Sequence, residues 1–256
     1  MSGRLALVGL GPGSPEHLTL RAADVLRASQ AVVGYGAYVD LVAAWFPSPT
    51  RRCVRGELGQ ERARAFEAIR LARQGLDVAL VSTGDATIYG MGGPLFEALA
   101  AEGWDSARPD PPVEVVPGVT AALSANALLG APLADDVALI SLSDVVAPWS
   151  LIAERVAAAA SADFVLALYN PASSRRQTGI REVQRILLEH RPASTPVALV
   201  RHAFRSGEQV EVTTLGDFLV NDDAVDMSTV VIVGNRQTTR LSDRLVSRRV
   251  PREARL

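Results

Sequence analysis

The chain has 256 residues, 48% of them hydrophobic and 21% charged, with a net charge of −2. That is enough apolar material for one large or two small globular domains, and it leaves no overall basic field for nucleic acid. The one cysteine, Cys53, excludes an internal disulfide, Pro12 and Gly13 cut the N-terminal apolar run short of a signal peptide, and no run of about 18 apolar residues suggests a membrane span, so a cytoplasmic location is expected.

In chain order, short β-branched apolar runs alternate with longer Ala/Leu/Arg stretches. The runs at 5–11, 31–36, 77–83, 113–118, 137–143, 164–170, 197–204 and 228–235 read as strands. The stretches at 20–29, 61–74, 91–103, 121–130, 148–161 and 176–190 read as helices. The strands are continuous apolar runs rather than strict alternations, which predicts an α/β fold with largely parallel sheets covered on both faces. The Pro/Asp-rich stretch at 104–118 precedes the expected domain crossover, giving domains at 1–118 and 119–240. The Arg-rich tail, 241–256, is expected to form a peripheral helix and a frayed end.

All 26 basic side chains are Arg. No Schiff-base lysine, lysine base or phosphate-gripping Walker lysine can therefore operate, and an anionic ligand must meet Arg, His, hydroxyls or backbone N–H groups.

Three strands end in turns rich in small residues. The first, LVGLGPGSPEHLT at 7–19, has Gly9, Gly11 and Gly13. Its third glycine is out of register for a dinucleotide fingerprint, Pro12 and Pro15 remove N–H donors, and the second strand ends in glycine rather than an acid. Two readings stay open: a tight strand-to-helix turn, or a turn whose glycines admit a flat, bulky ligand. In the second turn, VSTGDATIYGMGG at 81–93, Asp85 is either a ligand contact or the N-cap of the next helix. The third, VVPGVTAALSA at 115–125, offers Thr120. Three such turns without phosphate chemistry suit S-adenosylmethionine, whose sulfonium needs no metal; no metal site is expected.

The ordered set VGLGPGSPEHLTLRA, STGDATIYG and VVPGVTA resembles the tetrapyrrole methyltransferase family. VVGYGAYVD, ISLSDVVAPW and LALYNPASSRR resemble one branch of it, the precorrin-3B C(17)-methyltransferases of corrin (cobalamin) biosynthesis. The likeness runs from about Leu5 to Thr239. It implies two αβα domains with mixed, largely parallel sheets, S-adenosylmethionine in the cleft between them, a homodimer, and a small-molecule tetrapyrrole substrate rather than a nucleic acid or membrane partner. Carried over by position, the cofactor residues would be Pro12, Gly84, Asp85, Ile88, Thr120, Ala121, Tyr169, Ala203 and Thr229.

Precorrins carry many carboxylate arms, so Arg and hydroxyl donors are expected around the ring. The clusters Arg51/Arg52/Arg55, Arg175/Arg176 and Arg201/His202/Arg205 either serve it or form solvated faces. The substrate residues expected are Gly11, Tyr35, Tyr38, Ser143, Arg175 and Arg201; the two tyrosines read equally well as core aromatics. The branch also contracts the macrocycle, which needs proton transfers. Asp144 and Asn170 are the candidate groups, ahead of His202, although Asp144 is equally an N-cap for the helix beyond Pro148.

The sequence departs from the family in places. Ser14 stands where an acidic residue is common, Gly36 stands where sirohaem-type methyltransferases carry Asp, and GDATIYGMGG is closer to the anaerobic, cobalt-first members. The alternatives are a relative acting on another precorrin, a diphthine synthase or ribosomal RNA methyltransferase, and a non-enzymatic nucleotide-binding regulator.

Overall fold

The computed structural model describes residues 2–172, 178–220 and 225–249. The chain divides into two compact units, Met1–Ala121 and Ala122–Leu256.

The first unit holds strands β1 (Leu5–Gly9), β2 (Ala31–Tyr35), β3 (Arg52–Gly56), β4 (Val78–Ser82) and β5 (Val113–Val116), and helices α1 (Leu20–Ala28), α2 (Gly36–Trp45), α3 (Glu61–Arg73) and α4 (Gly92–Ala101). The strands form one sheet in the order β3-β2-β4-β1-β5, parallel throughout. Alternate residues of each central strand face opposite layers. Leu5, Leu7, Val33 and Leu80 pack with Ile69 of α3 and Leu95 and Leu99 of α4. Ala6, Val8, Val32 and Val81 pack with Leu26 of α1 and Val39 and Val42 of α2. Burial on both faces is why these strands are uninterrupted apolar runs.

The second unit holds β6 (Gly130–Ala131), β7 (Val137–Ser141), β8 (Val165–Tyr169), β9 (Pro196–Arg201), β10 (Gln209–Thr214), β11 (Thr229–Val233), β12 (Thr238–Leu241) and β13 (Arg244–Ser247), with α5 (Ala121–Leu129), α6 (Trp149–Ser161) and α7 (Thr178–His190). Its main sheet runs β10-β9-β11-β8-β7. It is mixed: β7 and β8 are parallel, and the other neighbours are antiparallel. Ile152 and Val156 of α6 and Ile180, Val183 and Leu187 of α7 cover one face, against Leu166, Leu168, Leu199 and Val231.

The eight expected strands and six expected helices are all present. Six elements were not foreseen: β3, β6, β10, β12, β13 and α2. β3 (RCVRG) and β10 (QVEVTT) are edge strands, half solvated and too charged or polar to read as apolar runs. α2 follows β2 without a break, and only Val39 and Val42 of its apolar length are buried. The tail is a correction: instead of a peripheral helix, β12 and β13 form an antiparallel hairpin that adds to β6 in a third, small sheet. Leu245 and Ser247 are buried, and Thr238 and Ser247 hydrogen-bond through their hydroxyls at 2.6 Å. This alternation of inward and outward residues is a strand pattern, which the many arginines obscure.

Candidate functional site

In the first unit the three glycine turns meet at the carboxyl ends of the adjacent strands β4, β1 and β5. Gly11 and Gly84 form a two-residue bridge, with Gly84 N donating to Gly11 O at 2.7 Å and Gly11 N to Gly84 O at 3.1 Å. Both have φ near +65° (64° and 66°), a conformation that favours glycine. A Cβ on Gly9 would lie 2.7 Å from both Gly118 N and Gly84 O. The glycines therefore let the turns approach one another. Of the two readings, the space at Gly9 is taken by neighbouring backbone, not left open to a ligand.

Asp85 ties the second turn to the third. Its Oδ1 accepts from Thr87 N (2.8 Å) and the Thr87 hydroxyl (2.6 Å), and its Oδ2 accepts from Gly118 N (3.1 Å). Partial burial disfavours the charge, but these donors outweigh it and hold the carboxyl below the ordinary aspartate range. Asp85 is not the N-cap of α4, a place held by Met91. Ile88 closes the turn, its N–H donating to Asp85 O at 3.2 Å. Thr120 is buried, and Pro12 and Ala121 are half-buried. Tyr35, the last residue of β2, and Tyr38, in the first turn of α2, pack edge to face with centroids 5.2 Å apart.

In the second unit, register gathers the expected residues at one sheet edge. Ser141 pairs with Tyr169 at the ends of the parallel β7 and β8, and Thr229 at the start of β11 pairs with Arg201 at the end of β9. Ser143 and Asp144 follow β7, Asn170 follows β8, and Ala203 follows β9. The buried Tyr169 accepts a hydrogen bond from Ala122 N at its hydroxyl, 3.0 Å away, at the start of α5. Thr229 is 1% exposed and its hydroxyl donates to Asp226 Oδ1 at 3.0 Å. Arg201 pairs with Asp226 Oδ2 at 2.6 Å. Asp144 is exposed and does not cap α6, whose N-cap is Pro148. It lines a cavity of about 540 Å³ with Trp149, Gly179, Arg181 and Arg185. Arg175 and Arg176 lie outside the described residues.

The arginines at 51, 52 and 55, the last two within β3, have structural tasks. Arg51 donates to the carbonyls of Leu26 (2.8 Å), Ser29 (3.2 Å) and Phe46 (2.6 Å), at the ends of α1 and α2. Arg52 pairs with Glu67 and Arg55 with Asp40. The solvated-face reading fits the last two, and the Arg51 side chain satisfies carbonyls at the C-terminal ends of α1 and α2.

Four participants were not anticipated. Ser14 and His17 hydrogen-bond at 2.7 Å within the first turn. Asp226 organises both Arg201 and Thr229. Ser141 receives Asn170 Nδ2 at 3.0 Å. Polar residues ending apolar strands are the signal that would have found Ser141; Asp226 lies in a loop with no distinctive pattern.

Residues 4–219 match the family of tetrapyrrole (corrin/porphyrin) methylases. The chain is 43% identical over 249 residues to a cobalt-factor III methyltransferase of Priestia megaterium, covering 97% of this chain and 45% of that relative, so it spans about half the relative's length. It is 41% identical over 234 residues to a probable cobalt-factor III C(17)-methyltransferase of Salmonella typhimurium, covering 91% of this chain and 93% of the relative. The crystal structure of the methyltransferase CobJ superimposes with a TM-score of 0.89 at 32% identity, covering 96% of this chain and all (100%) of that one. A uroporphyrin-III C-methyl transferase from Thermus thermophilus, complexed with S-adenyl homocysteine, superimposes with a TM-score of 0.70 at 27% identity over 91% of this chain and 97% of its own.

Proposed function

The chain belongs to the tetrapyrrole (corrin/porphyrin) methylases, and from that premise we propose that it methylates C(17) of cobalt-factor III or precorrin-3B in cobalamin biosynthesis, with S-adenosylmethionine as donor. The observation that carries the reading is the end-to-end likeness to the Salmonella C(17)-methyltransferase, which extends over nine-tenths of both chains. Contraction of the macrocycle to the precorrin-4 level, a cytoplasmic location and a homodimer belong to the same proposal.

The donor set fits the cofactor. The three turns bring together small residues, Thr120 and Asp85, a carboxyl held below the ordinary aspartate range, and the chain has no lysine. Such a set suits a zwitterion bearing a sulfonium better than a pyrophosphate. When bound, S-adenosylmethionine supplies an activated methyl group. In this reading Pro12, Gly84, Asp85, Ile88, Thr120, Ala121, Tyr169, Ala203 and Thr229 are the residues that would hold it. Asp85 acts mainly by fixing the turns, because both its oxygens already accept hydrogen bonds within the protein.

The residues assigned to the tetrapyrrole are Gly11, Tyr35, Tyr38, Ser143, Arg175 and Arg201. Their work is orientation. Holding the target carbon in line with the methyl group and keeping water out supplies most of the acceleration such a transfer needs. Asn170 and Asp144 are the groups assigned to proton handling.

The test is anaerobic incubation of the protein and S-adenosylmethionine with cobalt-factor III and, separately, metal-free precorrin-3B. One of the two should gain a single methyl group by mass, and its visible spectrum should change if the ring contracts. Methylation of neither would overturn the reading; methylation of one only identifies the metal state of the substrate.

A further inference from the structure

Asn170 follows β8 with φ at +53°, in the left-handed region. Asn tolerates this conformation better than most residues, and it takes the side chain out of the alternation of the strand. Because β7 runs parallel to β8 with Ser141 opposite Tyr169, the last residue of β7 lies beside it. Ser141 Oγ accepts two hydrogen bonds, from Asn170 Nδ2 at 3.0 Å and from Ser143 N at 3.3 Å. A hydroxyl oxygen has two acceptor positions, and here both are filled. With the Ser143 amide on one acceptor position of the hydroxyl, the Asn170 carboxamide is held with its nitrogen on the other. The nitrogen is bound to Ser141, so the oxygen is the end left to accept from a ligand.

We propose that Ser141 is a positioning residue: it orients the Asn170 carboxamide so that Oδ1 accepts a hydrogen bond from a donor on the tetrapyrrole, a ring N–H or a protonated acid arm. The proposal rests on the methyltransferase reading above. Ser141 acts through Asn170 and does not itself meet the substrate. Without it the carboxamide can rotate and present its NH2 end, which repels the same donor.

The experiment compares S141T with S141V, two β-branched variants of nearly equal shape that differ in the hydroxyl, alongside N170G and the double variant S141V/N170G. Glycine at 170 keeps the positive φ without strain. S141V should lose about tenfold in kcat/KM for the tetrapyrrole, the size of one lost orienting hydrogen bond. S141T should stay within about twofold of wild type, because it keeps the Oγ acceptor. S-adenosylhomocysteine affinity should be unchanged in all. S141V should add nothing to N170G, since the hydroxyl acts only through the missing carboxamide. Wild-type turnover by S141V, equal losses in S141T and S141V, or an additive double variant would each overturn the proposal. A wild-type protein that methylates no tetrapyrrole would instead overturn the methyltransferase reading, and this inference with it.

Discussion

The absent Cβ of Gly118 would sit 2.2 Å from the carbonyl oxygen of Gly84, the same residue whose backbone bridges to Gly11. No side chain can be accommodated there without moving one of the three turns. Gly118→Ala should cost about 1–3 kcal/mol as an overpacked site and should also weaken binding of S-adenosylhomocysteine. Gly93→Ala is the matched control. It lies in α4, and an added Cβ there meets nothing within 4 Å. Gly93→Ala should leave stability unchanged or slightly raised, with normal cofactor affinity. Thermal unfolding and calorimetric titration of the two variants check both expectations.

Asp85 joins two of those turns, and its effect should be pH-dependent. Its folded pKa is depressed: burial opposes ionisation, but the Thr87 and Gly118 donors prevail. The unfolded chain therefore takes up the proton first as pH falls. The stabilisation is fully present above the unfolded value of about 3.9 and is lost as pH drops through the lower folded value. Asp85→Asn keeps an acceptor for Thr87 but sets an NH2 donor against an amide when it faces Gly118. The variant should be less stable than wild type at neutral pH, and the difference should shrink below about pH 4. Denaturant unfolding across that range measures the difference; a gap that widens towards acid pH would contradict it. Cofactor affinity of the variant should fall at neutral pH even where the protein remains folded.

Much of this was legible in the sequence because burial on both sheet faces writes itself as unbroken apolar runs. Leu5 to Leu10 and Val78 to Val81 have nowhere polar to point. The elements missed are those the core does not dictate. β3 and β10 lie at sheet edges, and the β12–β13 hairpin has an exposed arginine in each strand, Arg240 and Arg244. The glycine turns were visible as a set, but not their purpose. That Gly9 and Gly118 serve backbone contact depends on strands more than a hundred residues apart in sequence becoming neighbours. The same limit hid Ser141 and Asp226, ordinary residues until register places them beside Asn170 and Arg201.

Arg51 ends two helices at once. Its guanidinium meets three carbonyls at the carboxyl ends of α1 and α2, where backbone acceptors lack intrahelical partners and a cation is favoured. Arg51→Ala should cost about 2–3 kcal/mol, as hydrogen bonds to a charged group are lost together. Arg51→Lys should recover only part of this, because a single ammonium cannot span three carbonyls as a planar fork does. Tetrapyrrole KM should not change in either variant beyond what unfolding removes. A KM increase at full foldedness would return Arg51 to the substrate-binding set.

Arg201 and Asp226 provide the sharpest separation of a binding role from a structural one. The pair meets at 2.6 Å with each side chain about one-third exposed (33% and 35%). Asp226 uses its two oxygens differently. Oδ2 takes Arg201, while Oδ1 accepts from Ser228 N at 2.8 Å and from the Thr229 hydroxyl at 3.0 Å. Asp226→Asn can keep the Oδ1 contacts while removing the charge that holds Arg201. An ion pair this exposed contributes about 0–1 kcal/mol, so neither Arg201→Leu nor Asp226→Asn should shift unfolding far. If Arg201 grips a substrate carboxylate, the two variants act in opposite directions. Arg201→Leu removes the donor and should raise the tetrapyrrole KM, by about tenfold for a charge-assisted contact. Asp226→Asn removes a competitor for the same guanidinium and should leave KM unchanged or lower it. If the pair is only a brace for the β9–β11 edge, both variants should impair turnover together and in proportion to their loss of stability. Steady-state kinetics on the folded variants, with S-adenosylhomocysteine affinity measured separately, distinguishes the two patterns by the sign of the Asp226→Asn effect alone.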